Sequence, residues 1–167
     1  IADDLTYFLN VASVGISGDV VTRVEKSNRR PWTFLAATLR SLIDYRPPVV
    51  QIQLDDEDWY EGTSYLVAVA NGTTFGRGMK VAPHADIGDG LFDVVLVEGM
   101  SRIRAIDALR QVYDGKHLDV KQIRHRRASS VNIISSSGAI GMELDGEFAR
   151  GQSLQFTIKQ GLLNLLV

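Results

Sequence analysis

The sequence predicts a mainly β domain of the α+β kind, an antiparallel two-sheet β-sandwich carrying two helices. Three observations lead there. Short apolar segments outnumber helical faces by roughly four to one, and turn residues at hairpin-like spacing separate them in place of regular helical crossovers. The 167 residues, 45% of them hydrophobic, suffice for one core, and no linker, repeat or low-complexity tract divides them, so residues 1–167 read as one domain. Absence of cysteine removes disulfide frameworks and thiolate metal sites from consideration.

Along the chain, Leu5 to Val14 places Leu5, Tyr7, Leu9 and Val11 on one parity, Gly15 to Gly18 interrupts, and Asp19 to Val24 resumes, which predicts strand, sharp bend, strand. Pro31 suits a helix start, and Trp32, Leu35, Leu39, Leu42 and Ile43 recur at helical spacing until Pro47-Pro48 ends the pattern. Val50, Ile52 and Leu54 alternate with Gln51 and Gln53; the acidic stretch Asp55 to Asp58 then turns the chain toward a partner strand, Tyr65 to Ala70. Asn71 to Gly90 is a long loop with five glycines, a length that in a compact domain usually accompanies function.

Leu91 to Val97 predicts a central strand. Ser101 to Gly115 predicts a capped helix with Ile103, Ile106, Leu109 and Tyr113 on one face. Three more strands follow at Val131 to Ile134, Ile140 to Leu144 and Leu154 to Ile158, with a last short one at Leu162 to Val167.

Eighteen Lys and Arg against 20 Asp and Glu leave a formal charge of −2, so no bulk field draws nucleic acid and an anionic partner must be met locally. The longest apolar runs, Leu66 to Ala70 and Leu162 to Val167, fall short of the roughly 20 residues of a membrane span, which predicts a soluble or at most peripheral protein. A chain beginning Ile1-Ala2-Asp3-Asp4, without Met, reads as a fragment with no leader.

Four features could carry chemistry. The glycines around Gly76-Arg77-Gly78-Met79 lack Walker spacing and serve turn geometry as readily as phosphate binding. Asp86-Ile87-Gly88-Asp89-Gly90 offers two carboxylates to a hard cation or simply forms a turn. Asp145-Gly146 is a hairpin-turn signal that either leaves Glu147 solvated or fixes it as a general base. Lys121 to Arg127 is a basic run suited to a solvated strand edge or to anionic lipid. His84, His117 and His125 are scattered, without the partners of a triad or a metal site.

Several segments together resemble the C-terminal domain of the diacylglycerol kinase catalytic family, which includes bacterial lipid kinases and is related to sphingosine and ceramide kinases. They are Asn10 to Val20 (NVASVGISGDV), Val69-Ala70-Asn71-Gly72 with Gly76 to Met79, Ala82 to Asp93 (APHADIGDGLFD), and Leu144-Asp145-Gly146-Glu147. Their order through almost the whole chain makes the resemblance specific. It implies the second domain of a two-domain kinase that moves the γ-phosphoryl of ATP onto a diacylglycerol-like lipid hydroxyl. The family's N-terminal nucleotide-binding domain, with its Gly-Gly-Asp-Gly-Thr loop, is absent from these residues. The isolated piece is therefore expected to be inactive.

The resemblance further implies Glu147 as catalytic base and a Mg²⁺ site made by the Asp89 carboxylate with Asp86 and Leu91 main-chain oxygens. Asp19, Arg29, Arg30 and Asp145 are implied as substrate or nucleotide contacts. ATP comes mostly through the missing domain. The partners implied are a lipid substrate, the chain's own nucleotide domain, a peripheral cytoplasmic membrane surface and, as an open question, a second copy in a homodimer; nucleic acid is not among them. Ile16-Ser17-Gly18 and Arg77 depart from the family's usual residues, so lipid choice and headgroup fit stay open. The alternatives are a non-catalytic lipid-binding module and an enzyme of the NAD kinase kind.

Overall fold

Residues 5–25 and 33–163 are described by a computed structural model. Nine strands, β1 (Val11–Gly15), β2 (Val49–Leu54), β3 (Glu57–Ala70), β4 (Phe92–Glu98), β5 (Ile123–Ala128), β6 (Ser130–Ser135), β7 (Ile140–Leu144), β8 (Glu147–Gly151) and β9 (Ser153–Thr157), all pair antiparallel. Among the described residues the helices are α1 (Ile16–Glu25), α2 (Thr33–Asp44) and α3 (Arg102–Asp114), with a 3₁₀ turn at His117–Asp119. Strand β3 belongs to both sheets: its first half pairs with β2, its second half lies between β1 and β4. One sheet therefore runs β8-β7-β1-β3-β4-β5 and the other β3-β2-β6-β9.

Side-chain pattern follows from what covers each sheet. The second sheet has one face on the core and one in water, so β2, β6 and β9 alternate, with Val50, Ile52, Leu54, Val131, Ile133, Leu154 and Phe156 inward. The first sheet is covered on both faces. Val94 and Leu96 of β4 enter the sandwich core while Val95 between them packs toward α3, so this strand is a near-continuous apolar run. Each fully buried Val, Ile or Leu contributes about 1.5–3 kcal/mol.

The expected helix count needs correction. The segment Asp19 to Val24, expected as strand, lies in α1, a third helix. Ile16, Val20 and Val24 fall at i, i+4 and i+8 and pack into one cluster with Ala37 and Leu42 of α2 and Ala105 of α3. Gly18 lets α1 lie directly on β7: a Cβ there would come within 2.7–2.8 Å of the Gly141 and Met142 backbone. Helix α3 spans the predicted residues and stops at Gly115, whose φ of 73° permits the closing bonds to Gln111 and Val112. Its buried face is Ala105, Ala108 and Val112, while Ile103 is exposed, because small residues allow close approach to the sheet.

Strand β8 was not expected, and β5 takes in the basic run that reads as a solvated strand edge. Lys121 to Arg127 does include a sheet edge, since β5 pairs only with β4. The expected last strand is not formed at Leu162 and Leu163, and its remainder lies outside the described residues, as do Pro31, Trp32, Arg29 and Arg30.

Candidate active site

The Asp145-Gly146 turn closes the β7–β8 hairpin, with φ of 47° and 97° at its two residues and Leu144 paired to Glu147 across it. Both positive angles are what a two-residue hairpin turn requires. Asp145 then works inward: its Oδ2 accepts the Leu9 N–H at 2.6 Å, and its Oδ1 accepts those of Asn10 at 3.1 Å and Val11 at 2.9 Å. Asn10 continues the chain of bonds by donating from Nδ2 to the Thr74 carbonyl at 3.0 Å, and Asn71 donates from its own Nδ2 to Leu9 at 2.8 Å. The turn, the start of β1 and the glycine-containing loop are thereby fixed to one another.

Between them lies a cleft of about 440 Å³ lined by Asn10, Val21, Phe75, Gly76, Arg77, Glu143, Asp145 and Gly146. Behind it an apolar hollow of about 120 Å³ runs between the first sheet and the three helices, lined by Val20, Leu42, Tyr65, Val95, Ala108 and Val112 among others. Val21, Phe75 and Glu143 line both spaces, so the two lie next to each other. The cleft mixes Arg77, Asn10 and turn residues with Val11, Val21, Val24 and Phe75; the hollow carries almost only hydrocarbon.

Glu143 is the residue that sequence reasoning missed. Burial pushes its carboxyl above the usual carboxylate range, against weaker opposing pulls from the Ser13 hydroxyl, which donates to Oε2 at 3.2 Å, and the Gly146 amide. Its signal was parity on β7. Ile140, Met142 and Leu144 turn to the sandwich core, so Gly141 and Glu143 must face the other side, which α1 covers. At the deep end of the hollow stands His117, 2% exposed, with Nε2 at 3.0 Å from the Val81 carbonyl and Nδ1 without a partner; burial holds its pKa below the ordinary value.

Among the residues expected to act, Glu147 begins β8 with its side chain exposed, directly after the Gly146 that lines the cleft. Asp145 lines the cleft but uses its carboxylate on the chain's own amides. Asp19 lies on α1, where Oδ2 accepts from Arg23 Nε at 2.8 Å and Ser41 Oγ at 2.6 Å, tying α1 to α2. Asp86, Asp89 and Leu91 lie together in the turn before β4, apart from the cleft-lining residues. Gly76, Arg77 and Gly78 have φ of 50°, 64° and 96° in succession, so Arg77 occupies a left-handed position that glycine favours.

Within the basic run, residues Arg124 to Arg127 each face an acidic side chain of the fold. Arg124 pairs with Glu98, His125 with Asp93, Arg126 with Glu57 and Arg127 with Asp89. Among the described residues no helix is long and apolar enough to cross a membrane.

The fold is thus a two-sheet sandwich with helices on one outer face and a carboxylate-bearing hairpin turn beside a cleft. The chain belongs to the YegS C-terminal NAD kinase beta sandwich-like domain family, whose model matches residues 10–167. It is similar to the diacylglycerol kinase of Mycobacterium tuberculosis, 26% identical over 148 residues that cover 86% of this chain and 46% of that protein. The diacylglycerol kinase of Bacillus subtilis is 25% identical over 146 residues, covering 85% and 47%.

Two solved structures from Bacillus anthracis str. Sterne share the fold. One has a TM-score of 0.70 at 21% identity, covering 92% of this chain and 50% of that chain. The other, a diacylglycerol kinase, has a TM-score of 0.59 at 19% identity, covering 92% and 47%. The chain thus spans about half the length of the relatives it matches.

Proposed function

We propose that this chain is the lipid-holding domain of an ATP-dependent lipid kinase that phosphorylates a diacylglycerol-like hydroxyl, the nucleotide being held mainly by a domain outside these residues. The observation that supports this reading is the pair of neighbouring spaces that share Glu143, a cleft of mixed polarity beside an apolar hollow, a pairing suited to an amphiphile. An acyl segment belongs in the hollow and the hydroxyl-bearing end in the cleft. Glu147 is then the general base. As the lipid oxygen bonds to the γ-phosphorus, the bond from that phosphorus to the β,γ-bridging oxygen breaks, ADP departs, and the hydroxyl proton passes to the Glu147 carboxylate.

A rigid hairpin turn suits this task, because phosphoryl transfer is mainly positioning and charge stabilisation. Arg77 contributes a cation to the cleft wall. Magnesium carried with ATP would neutralise charge on the transferring phosphates.

The test is transfer of labelled phosphate from ATP by the longer protein that contains this chain, over a panel of diacylglycerol, phosphatidylglycerol, sphingosine and NAD. Labelling of a lipid is expected. Labelling of NAD alone would move the protein to the NAD kinase kind, and labelling of none would favour a non-catalytic lipid-binding module.

A further inference from the structure

The turn that resembles a magnesium site is already held by other means. Asp86 Oδ1 accepts the Gly88 N–H at 2.9 Å, the Asp86 carbonyl accepts the Asp89 N–H at 3.3 Å, and Asp89 Oδ1 accepts the Leu91 N–H at 2.9 Å. The remaining Asp89 oxygen, Oδ2, accepts from Arg127 Nη2. On the outer side Gln160 donates from Nε2 to the Gly88 carbonyl at 2.8 Å. Magnesium demands near-octahedral oxygen ligation, and both carboxylate oxygens of Asp89, the one acidic side chain expected to ligate, already accept from the chain's own donors. These residues do not fit a divalent cation as they stand.

Charge explains the arrangement. Asp93 follows the turn on β4, is 1% exposed, and has Oδ1 at 2.6 Å from His125 Nε2. Its Oδ2 has no hydrogen-bond partner, and the charge facing it is Arg127, with Nε at 3.7 Å. Arg127 lies directly across the β4–β5 ladder from Asp93. Arg127 therefore reaches two carboxylates, one of them buried, and a buried carboxylate is costly unless a charge or donor faces it.

We infer that Arg127 takes the place of a divalent cation in this turn, so that the Asp86 to Leu91 segment keeps its shape without metal. A guanidinium supplies the positive charge and donates in a fixed plane to Asp89 while facing Asp93, two tasks an ion would otherwise share with bound water. This inference does not depend on the lipid kinase reading, because it concerns the fold of the turn and not transfer.

The test is thermal unfolding and calorimetric titration of the chain with millimolar Mg²⁺, at matched ionic strength, in wild type, Arg127→Gln and Asp89→Asn. Wild type is expected to show no Mg²⁺-dependent rise in Tm and no binding heat. Arg127→Gln is expected to have a lower Tm that Mg²⁺ raises by at least about 2 °C, since a ligand that binds only the folded state stabilises it. Mg²⁺ binding by wild type that Asp89→Asn abolishes would overturn the inference, as would a folded Arg127→Gln that gains nothing from Mg²⁺. Should Arg127→Gln not fold, Arg127→Lys carries the test. Keeping a cation, it is expected to ignore Mg²⁺, and a metal-dependent rise in its Tm would contradict the substitution of arginine for metal.

Discussion

Asp145 and Val11 hold each other twice. The Val11 N–H donates to Asp145 Oδ1 at 2.9 Å, and the Asp145 N–H donates to the Val11 carbonyl at 3.1 Å. The aspartate of the Asp-Gly-Glu turn is thus the joint that fastens the β7–β8 turn to the start of β1.

Removing that joint should cost stability as well as function. Asp145→Ala leaves the Leu9, Asn10 and Val11 amides without their acceptor and keeps a left-handed φ of 47° that alanine disfavours. A loss of about 2–4 kcal/mol in urea unfolding is expected. Asp145→Asn, which tolerates that φ and retains one oxygen, should lose less. Equal stability of Asp145→Ala and wild type would remove the structural role.

Glu143 gives a pH signature. Its carboxyl is raised in the folded state by burial, so the native chain holds this proton more tightly than the unfolded chain does. Its contribution is then fully present below the unfolded value and is lost as pH rises through the folded one. Glu143→Gln, which never ionises, should raise Tm relative to wild type at neutral pH, and the gain should vanish at pH below about 4, where the unfolded carboxyl is also protonated. A Tm difference that does not change with pH would contradict this.

Gly18 lies in a helix, where alanine normally stabilises by about 1 kcal/mol. Here a Cβ would meet backbone atoms of Gly141 and Met142 at 2.7–2.8 Å, and neither can move without displacing β7. Overpacking wins, so Gly18→Ala should destabilise by a net of about 1–3 kcal/mol in denaturant unfolding. A stabilised variant would show that α1 does not seat on β7.

The sandwich was legible where a strand meets water on one side. Val50, Ile52 and Leu54 alternate with Gln51 and Gln53, and the structure puts the apolar set in the core. Legibility failed at α1 because Gly15, Ser17 and Gly18 read as a bend, while the helical spacing of Ile16, Val20 and Val24 gains force only from the neighbours it packs against. The edge character of the basic run was legible, but its ion-pair partners were not, because Glu57 and Asp89 lie far away in sequence. Of the cleft wall, the Asp-Gly turn and the glycine-containing loop were legible as motifs. Glu143 was hidden because it faces a helix that had been read as a strand.

The central claim, that Glu147 is the base of a lipid kinase, is tested most directly by Glu147→Gln in the longer protein, followed as ATP-dependent phosphorylation of the preferred lipid. The side chain is exposed and the substitution keeps its size, so Tm should be unchanged. The account predicts that turnover falls by about 100-fold or more while lipid binding persists. Turnover within a few-fold of wild type would contradict it.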